Sequence, residues 1–253
     1  MKIFDLTGRI AIITGGNQGI GYAVARALAR AGATAVIANR RGPEGQKAAD
    51  ALKREGLTAV AIPVDVSSKV SLEAMVSRVI GDFGRIDILV NNAGVIVRKP
   101  VEEVSEDEWN FIMETNLKGL FFCCQLVGKE MILRKKGKII NISSNVSEVA
   151  MPGRAIYAVS KAGVSHLTRT LALEWAKHNI NVNAIGPGPT ITELNKQYFD
   201  EHPEDKEERI ASIPMSRMGD PSDYAGAAIF LASDASDFVT GQTLLVDGGS
   251  TIW

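Results

Sequence analysis

Short apolar runs recur along the chain, and within each the apolar residues are mostly consecutive. They fall at 9–14, 34–38, 59–64, 86–91, 138–142, 181–185 and 243–246, and they are rich in Val and Ile. Runs apolar on both faces fit strands sandwiched between helices. Between them, 20–31, 43–55, 68–83, 106–134, 155–178 and 221–233 read as helices. Regular strand–helix alternation implies right-handed crossovers. The expected fold is therefore α/β, a doubly wound, seven-stranded parallel sheet with helices on both faces. Such sheets bind ligands beyond the carboxyl ends of their strands, so the residues after each strand are the ones to read.

The 253 residues, 45% apolar and 23% charged, suit one globular α/β domain spanning 1–253. The segment 189–214 has no strong periodicity. Within and beside it, the charged patch 200–209 reads as a solvated loop or short helix. Twenty-eight basic and twenty-nine acidic side chains leave a net charge of −1, which argues against a nucleic-acid partner. No apolar run reaches the roughly 18 residues of a membrane span, so no membrane partner is expected. The first ten residues carry Asp5 and Arg9 and lack a signal-peptide core. Cys123 and Cys124 are adjacent and ill placed for a disulfide. A reduced, cytoplasmic setting is expected. Three scattered histidines offer no zinc cluster, so no metal site is expected.

After the first strand comes Thr14-Gly15-Gly16-Asn17-Gln18-Gly19-Ile20-Gly21. A Gly-rich turn leading into an Ala-rich helix aims free N–H groups and the positive dipole end at a phosphate. Gly15, Asn17, Gln18, Gly19 and Ile20 are thus candidate cofactor contacts. The second strand runs into Asn39-Arg40-Arg41. A carboxylate there would accept from the ribose hydroxyls and select NAD; Asn39 is uncharged and Arg40 can pair with a 2′-phosphate. NADP(H) is favoured, with NAD(H) as the alternative. Asp65 and Val66 end the third strand, where the carboxylate could accept from adenine or cap the next helix. Asn91-Asn92-Ala93-Gly94 ends the fourth, and Asn92, Ala93 and Gly94 could let a cofactor pass close.

Ser144 follows the fifth strand, and Tyr157 and Lys161 follow one short loop later. Their spacing of four puts both on one helix face. When a hydride leaves a carbinol carbon, the hydroxyl proton must leave too. A free tyrosine, with a pKa of about 10, is too weak a base near neutrality. A neighbouring ammonium stabilises the phenolate and lowers that pKa. Ser144 can hydrogen-bond the substrate oxygen.

With these motifs in order, the chain resembles the short-chain dehydrogenase/reductases of about 250 residues, over nearly its whole length. The resemblance rests on the 14–21 turn, Asn91–Gly94, Asn116 in Thr115-Asn116-Leu117, Ser144, Tyr157-x-x-x-Lys161, Pro187-Gly188 and Asp247-Gly248-Gly249. It implies a Rossmann-type fold. It also implies Tyr157 as general acid/base, Lys161 as its pKa-lowering and ribose-binding partner, Ser144 as substrate-orienting, and Asn116 as holding a water that links Lys161 to solvent. Pro187, Gly188, Thr190 and Thr192 would wrap the nicotinamide end, although Thr190 stands where the family usually has Val or Ile. The segment 189–214 would be the mobile substrate lid, with Glu193, Leu194 and Tyr198 setting specificity. Within the family, the stretches 174–183 and 234–239 are similar to the gluconate 5-dehydrogenase and 2-deoxy-gluconate 3-dehydrogenase group. That group carries two adjacent arginines soon after the Asn-Asn-Ala-Gly turn; here the pair is Val97-Arg98. Arg154, three residues before Tyr157, is a second candidate anion contact.

The expected activity is NADP(H)-dependent hydride transfer to or from a carbonyl or secondary alcohol of sugar-acid or keto-acid type. A 3-oxoacyl-carrier-protein reductase would use the same set, with a basic docking patch drawn from Arg98, Lys99, Arg154 and the 135–138 lysines. A non-catalytic nucleotide-sensing scaffold is the alternative of another class, though a sensor has no need of Tyr157. The resemblance further implies a homotetramer. Apolar stripes agree with it: Leu117, Leu120, Phe121, Cys124 and Val127 on one helix, and Val164, Leu167, Leu171 and Trp175 on another.

Overall fold

The structure, a computed structural model, describes residues 1–193 and 195–252; Leu194 and Trp253 lie outside them. Seven parallel strands form one sheet: β1 (Ile10–Thr14), β2 (Thr34–Asn39), β3 (Ala59–Pro63), β4 (Ile88–Asn91), β5 (Gly137–Ile142), β6 (Ile180–Pro187) and β7 (Thr243–Val246). Their order is β3-β2-β1-β4-β5-β6-β7. All seven expected strands are present. The order reverses between β1 and β4, which opens the crevice where a doubly wound sheet binds its ligand.

Helices cover both faces, and consecutive strand residues feed opposite cores. Ala11 and Ile13 pack with Val24 and Leu28 of α1 (Gly19–Arg30), Leu52 of α2 (Gly42–Arg54) and Leu231, which belongs to the final helix. Ile10 and Ile12 pack with Leu72 and Val79 of α3 (Lys69–Phe83) and with side chains from the two long helices that follow. This two-sided burial is why the runs show no polar alternation.

The helix expected at 106–134 is interrupted. It runs as α4 (Glu106–Met113), a π-helical segment (Glu114–Gly119) and α5 (Leu120–Arg134). Two contacts account for the widened turn. Asn116 turns inward to bond the backbone of Val95. Gly119 rests on the Val66 carbonyl, where a Cβ would sit only 2.5 Å from the oxygen. π segments of this kind often accompany functional sites. α6 spans Ala155–Trp175 and then tightens into a 3-10 turn. The segment 189–214, aperiodic in sequence, contains two helices, α7 (Lys196–Glu201) and α8 (Pro203–Ala211). They are short and mostly exposed, which erases the periodic signal. Phe199, Ile213 and Met218, with Ile191 and Ile210, give this region a small apolar cluster of its own. After a 3-10 turn at Pro221–Tyr224, α9 (Ala225–Ala232) packs against α1.

The stripes expected to pair subunits face mostly inward. Leu120, Cys124, Val127, Val164 and Leu171 are core residues, and Leu117, Leu167 and Trp175 pack against that core. Phe121 alone among those named is exposed. The exposed apolar side chains on these helices are instead Phe121, Leu133, Val159 and Leu173. No helix among the described residues is long and apolar enough to cross a membrane.

Candidate active site

The ends of β1, β4, β5 and β6 open into one cleft. Its walls include Gly15, Asn17, Gln18, Gly19 and Ile20, then Asn92, Ala93 and Gly94, then Ser144, Tyr157 and Lys161. Pro187, Gly188, Thr190 and Thr192 close it, and Arg98, Arg154 and Glu193 also line it. The structure thus gathers most of the sequence-derived candidates into one place.

The glycine turn is built for close approach. Gly15 takes a φ of +63°, and a Cβ at Gly21 would lie 2.3 Å from the Gly15 carbonyl oxygen. Asn92 staples the turn, its Nδ2 donating to the carbonyls of Thr14 at 3.0 Å and Gly15 at 3.1 Å. Thr14 Oγ1 in turn accepts from the N–H groups of Asn92 and Ala93. The next strand pair is tied by Asn91 Nδ2, which donates to Asn141 Oδ1 at 2.9 Å. The backbone N–H groups at the start of α1 face the cleft with no side-chain cap, a cradle that fits a dinucleotide's phosphates.

Four cofactor candidates fall outside the cleft wall, as does the catalytic candidate Asn116. Asn39 is buried, and its Nδ2 donates to the Arg41 carbonyl at 2.6 Å, shaping the turn into α2. Arg40 is exposed beside it and forms no ion pair among the described residues. Asp65 Oδ1 accepts from the N–H and hydroxyl of Ser67, closing a local turn, while Ser68 caps α3. Val66 supports Gly119 through its carbonyl.

Tyr157 sits in the first turn of α6 with Lys161 one turn on. Lys161 is buried, its Nζ donates to the Ile142 carbonyl at 2.8 Å, and it lies 5.7 Å from the Tyr157 ring centre. Burial pushes its pKa down to about 8. Burial also raises the Tyr157 phenol above its ordinary value, against a hydrogen bond from Ser144 and the charges of Arg154 and Arg98. Among side chains, the sequence placed the phenol's electrostatic support on Lys161; the charges that pull the phenol down here are those of Arg154 and Arg98. Ser144 is buried and accepts from the Val146 N–H at 3.3 Å. Asn116 is fully buried; its Oδ1 accepts from Val95 N at 2.8 Å and its Nδ2 donates to Val95 O at 2.9 Å and Ser160 Oγ at 3.2 Å. Ser160 Oγ donates onward to the Tyr157 carbonyl, so the π segment and α6 are tied together beneath Tyr157.

The unusual Thr190 also has a place. Its hydroxyl is buried between the Gly188 carbonyl, at 2.8 Å, and the Tyr224 phenol. Asn195 continues this pinning, donating to Thr190 O at 2.8 Å and accepting from Thr192 N at 2.9 Å. The segment then reaches the glycine turn, where a Cβ at Gly19 would lie 3.4 Å from Thr192 Cγ2 and 3.5 Å from Glu193 Oε2. Leu194, also expected to set specificity, lies outside the described residues.

One residue that the sequence reading missed is Arg209. It sits inside the 200–209 charge run, most of which is solvated as expected, yet it lines the same cleft as Tyr157. Only its fold position distinguishes it from its neighbours. Burial and the nearby charges of Arg98 and Arg209 push Arg154 down to about 10, so it stays charged near neutrality. Arg98 lies over the Tyr198 ring, 5.7 Å from its centre.

A doubly wound sheet, a glycine turn at its switch point and a Ser-Tyr-Lys set beside it define a dinucleotide-dependent oxidoreductase. A family model described as Enoyl-(Acyl carrier protein) reductase matches residues 15–251. Gluconate 5-dehydrogenase of Gluconobacter oxydans is 39% identical over 250 residues, covering 99% of this chain and 97% of that one. 5-keto-D-gluconate 5-reductase of Escherichia coli is 41% identical, covering 99% of this chain and 98% of that one. The crystal structure of a gluconate 5-dehydrogenase from Burkholderia cenocepacia, in complex with NADP and tartrate, superposes with a TM-score of 0.96 at 42% identity, covering 100% of this chain and 98% of that one. The chain belongs to the short-chain dehydrogenase/reductase family and is an NAD(P)-dependent oxidoreductase acting on alcohol or ketone groups.

Proposed function

We propose that this enzyme interconverts a sugar acid and its keto form, with NADP(H) as the hydride carrier, in a single catalytic domain of residues 1–253. The observation that carries the substrate class is the unpaired positive charge beside Tyr157. Arg98 and Arg154 line the cleft, and neither forms a salt bridge among the described residues. Arg154 is half-buried without a carboxylate partner, which is costly to hold, and Arg98 is exposed at the mouth beside it; an anionic substrate would supply the missing partner. The names of the relatives, which concern gluconate and 5-keto-D-gluconate, agree with this chemistry.

When bound, the nicotinamide supplies or accepts the hydride. Tyr157 donates its phenolic proton to the substrate oxygen on reduction and takes it back on oxidation. Ser144 hydrogen-bonds that oxygen, and Lys161 supports the phenolate and binds ribose. Asn116 holds the π segment and the route by which protons return. Residues 189–214 act as the lid, with Glu193 near the glycine turn. The carrier-protein reading has less support: of the basic residues named for its docking patch, Lys99 pairs with Glu108 at 2.7 Å, Lys138 is buried against Asp237 and Lys136 faces Asp234, which leaves Arg98 and Arg154 as its unpaired members. Following NADPH oxidation with keto-sugar acids beside acyl thioesters tests the reading. Turnover confined to the thioesters would reject it.

The exposed, unpaired Arg40 is expected to pair with the 2′-phosphate, so NADPH should bind more tightly than NADH. Arg40→Ala should remove about 1.5–3 kcal/mol of that difference, the worth of a charged hydrogen bond. Equal wild-type affinities in a binding titration would reject this role.

We also propose a homotetramer, supported by the exposed apolar residues Phe121, Val159 and Leu173 on α5 and α6. Light scattering at micromolar concentration checks it, and a monomer mass rejects it. Cys123 and Cys124 are buried thiols, with burial pushing Cys123 up to about 12, which suits a reduced, cytoplasmic setting.

A further inference from the structure

A second recess adjoins the Tyr157 cleft, lined by 98–102, 151–154, Tyr198, Phe199 and the face of α8. Five residues belong to both cavities: Arg98, Arg154, Arg209, Met151 and Phe199. Among the described residues, the charged groups shared by the two cavities are therefore three arginines, each from a different part of the chain. Arg154 and Arg209 are half-buried and Arg98 is exposed, and the charges of Arg98 and Arg209 are close enough to bear on Arg154. Glu102, Asp205 and Glu208 line only the outer recess, and Asp205 accepts a hydrogen bond from the Tyr198 hydroxyl. No salt bridge joins Arg98, Arg154 or Arg209 to an acid among the described residues. Arg209 is also held in place, because its neighbour Ile210 packs into the apolar cluster of Phe199, Ile213 and Met218.

We propose that Arg209 of α8 is the third arm of an anion clamp with Arg98 and Arg154, gripping the substrate carboxylate and setting the preference for acidic over neutral carbonyls. This rests on the sugar-acid reading above. Arg98 and Arg154 come from the body of the protein, whereas Arg209 arrives on the lid. Substrate charge thereby stabilises the closed lid, and an uncharged ketose of equal size leaves three arginines facing one another. Planar guanidiniums are suited to this, since each can offer two parallel donors to a carboxylate.

The test compares kcat/KM for 5-keto-D-gluconate and for an uncharged ketohexose, in wild type, Arg209→Gln, Arg209→Lys and the same-helix control Glu207→Gln. Arg209→Gln should lower kcat/KM for the keto acid by about 10- to 100-fold, the loss of a charged hydrogen bond, and leave the neutral ketose within about twofold. Arg209→Lys should recover part of the loss, and Glu207→Gln should change neither substrate. Unaltered NADPH affinity in the variants reports an intact fold. Equal loss on both substrates would make Arg209 a merely structural residue and overturn the proposal, as would no loss on the acid. A wild type that shows no preference for the acid sinks the sugar-acid reading itself, and the clamp with it. A preference left undiminished by Arg209→Gln rejects the clamp alone.

Discussion

Replacing Tyr157 with phenylalanine should lower turnover by about 10²–10⁴-fold, the usual worth of general acid–base catalysis, with NADPH affinity nearly unchanged. The substitution keeps the ring and removes only the hydroxyl, so packing at the start of α6 survives. What is lost is the proton. Burial holds the phenol above its ordinary value, while the Ser144 hydrogen bond and the charges of Arg154 and Arg98 pull it down. The same variant should flatten the pH dependence of kcat, because the titrating group is gone. Steady-state kinetics between pH 6 and 10 would check both effects. Near-normal turnover in Tyr157→Phe would remove Tyr157 from the proposed mechanism.

The strands were legible because burial on both faces writes itself as consecutive Val and Ile, as in Ile10–Thr14. The central chemistry was legible because short spacings survive folding. Tyr157 and Lys161 are one helical turn apart, and Gly15 to Gly21 are one unbroken stretch of turn and helix start. The π segment was not readable, since the contacts that go with it, Gly119 with Val66 and Asn116 with Val95, join residues distant in sequence. Asn39 has the polarity of a ligand contact but spends its amide on the Arg41 carbonyl. The stripe on α5 misled for a related reason: periodicity reports that a face is apolar, and only packing decides which partner covers it. Arg209 was hidden among nine neighbours rich in charge, where nothing local separates a residue aimed at the cleft from one aimed at water.

Lys161→Met is expected to abolish most turnover and at the same time change how stability depends on pH. Lys161 is 4% exposed, and burial lowers its pKa from 10.5 to about 8. A base with a depressed folded pKa binds fewer protons in the folded state than in the unfolded state across that window. Stability therefore rises with pH between about 8 and 10.5, and the cost of the buried ammonium is fully present below 8. At 1.36 kcal/mol per pKa unit the window is worth about 3 kcal/mol. Methionine fills similar volume without a charge, so the variant lacks this slope. Urea unfolding of the cofactor-free protein at fixed concentration, from pH 7 to 10.5, measures the difference. Wild type should gain up to about 3 kcal/mol on the variant across that range. A flat difference would mean that Lys161 titrates like an exposed lysine. With the slope present, the residue that supports the Tyr157 phenolate destabilises the fold at neutral pH, and its retention is then explained by catalysis and not by packing.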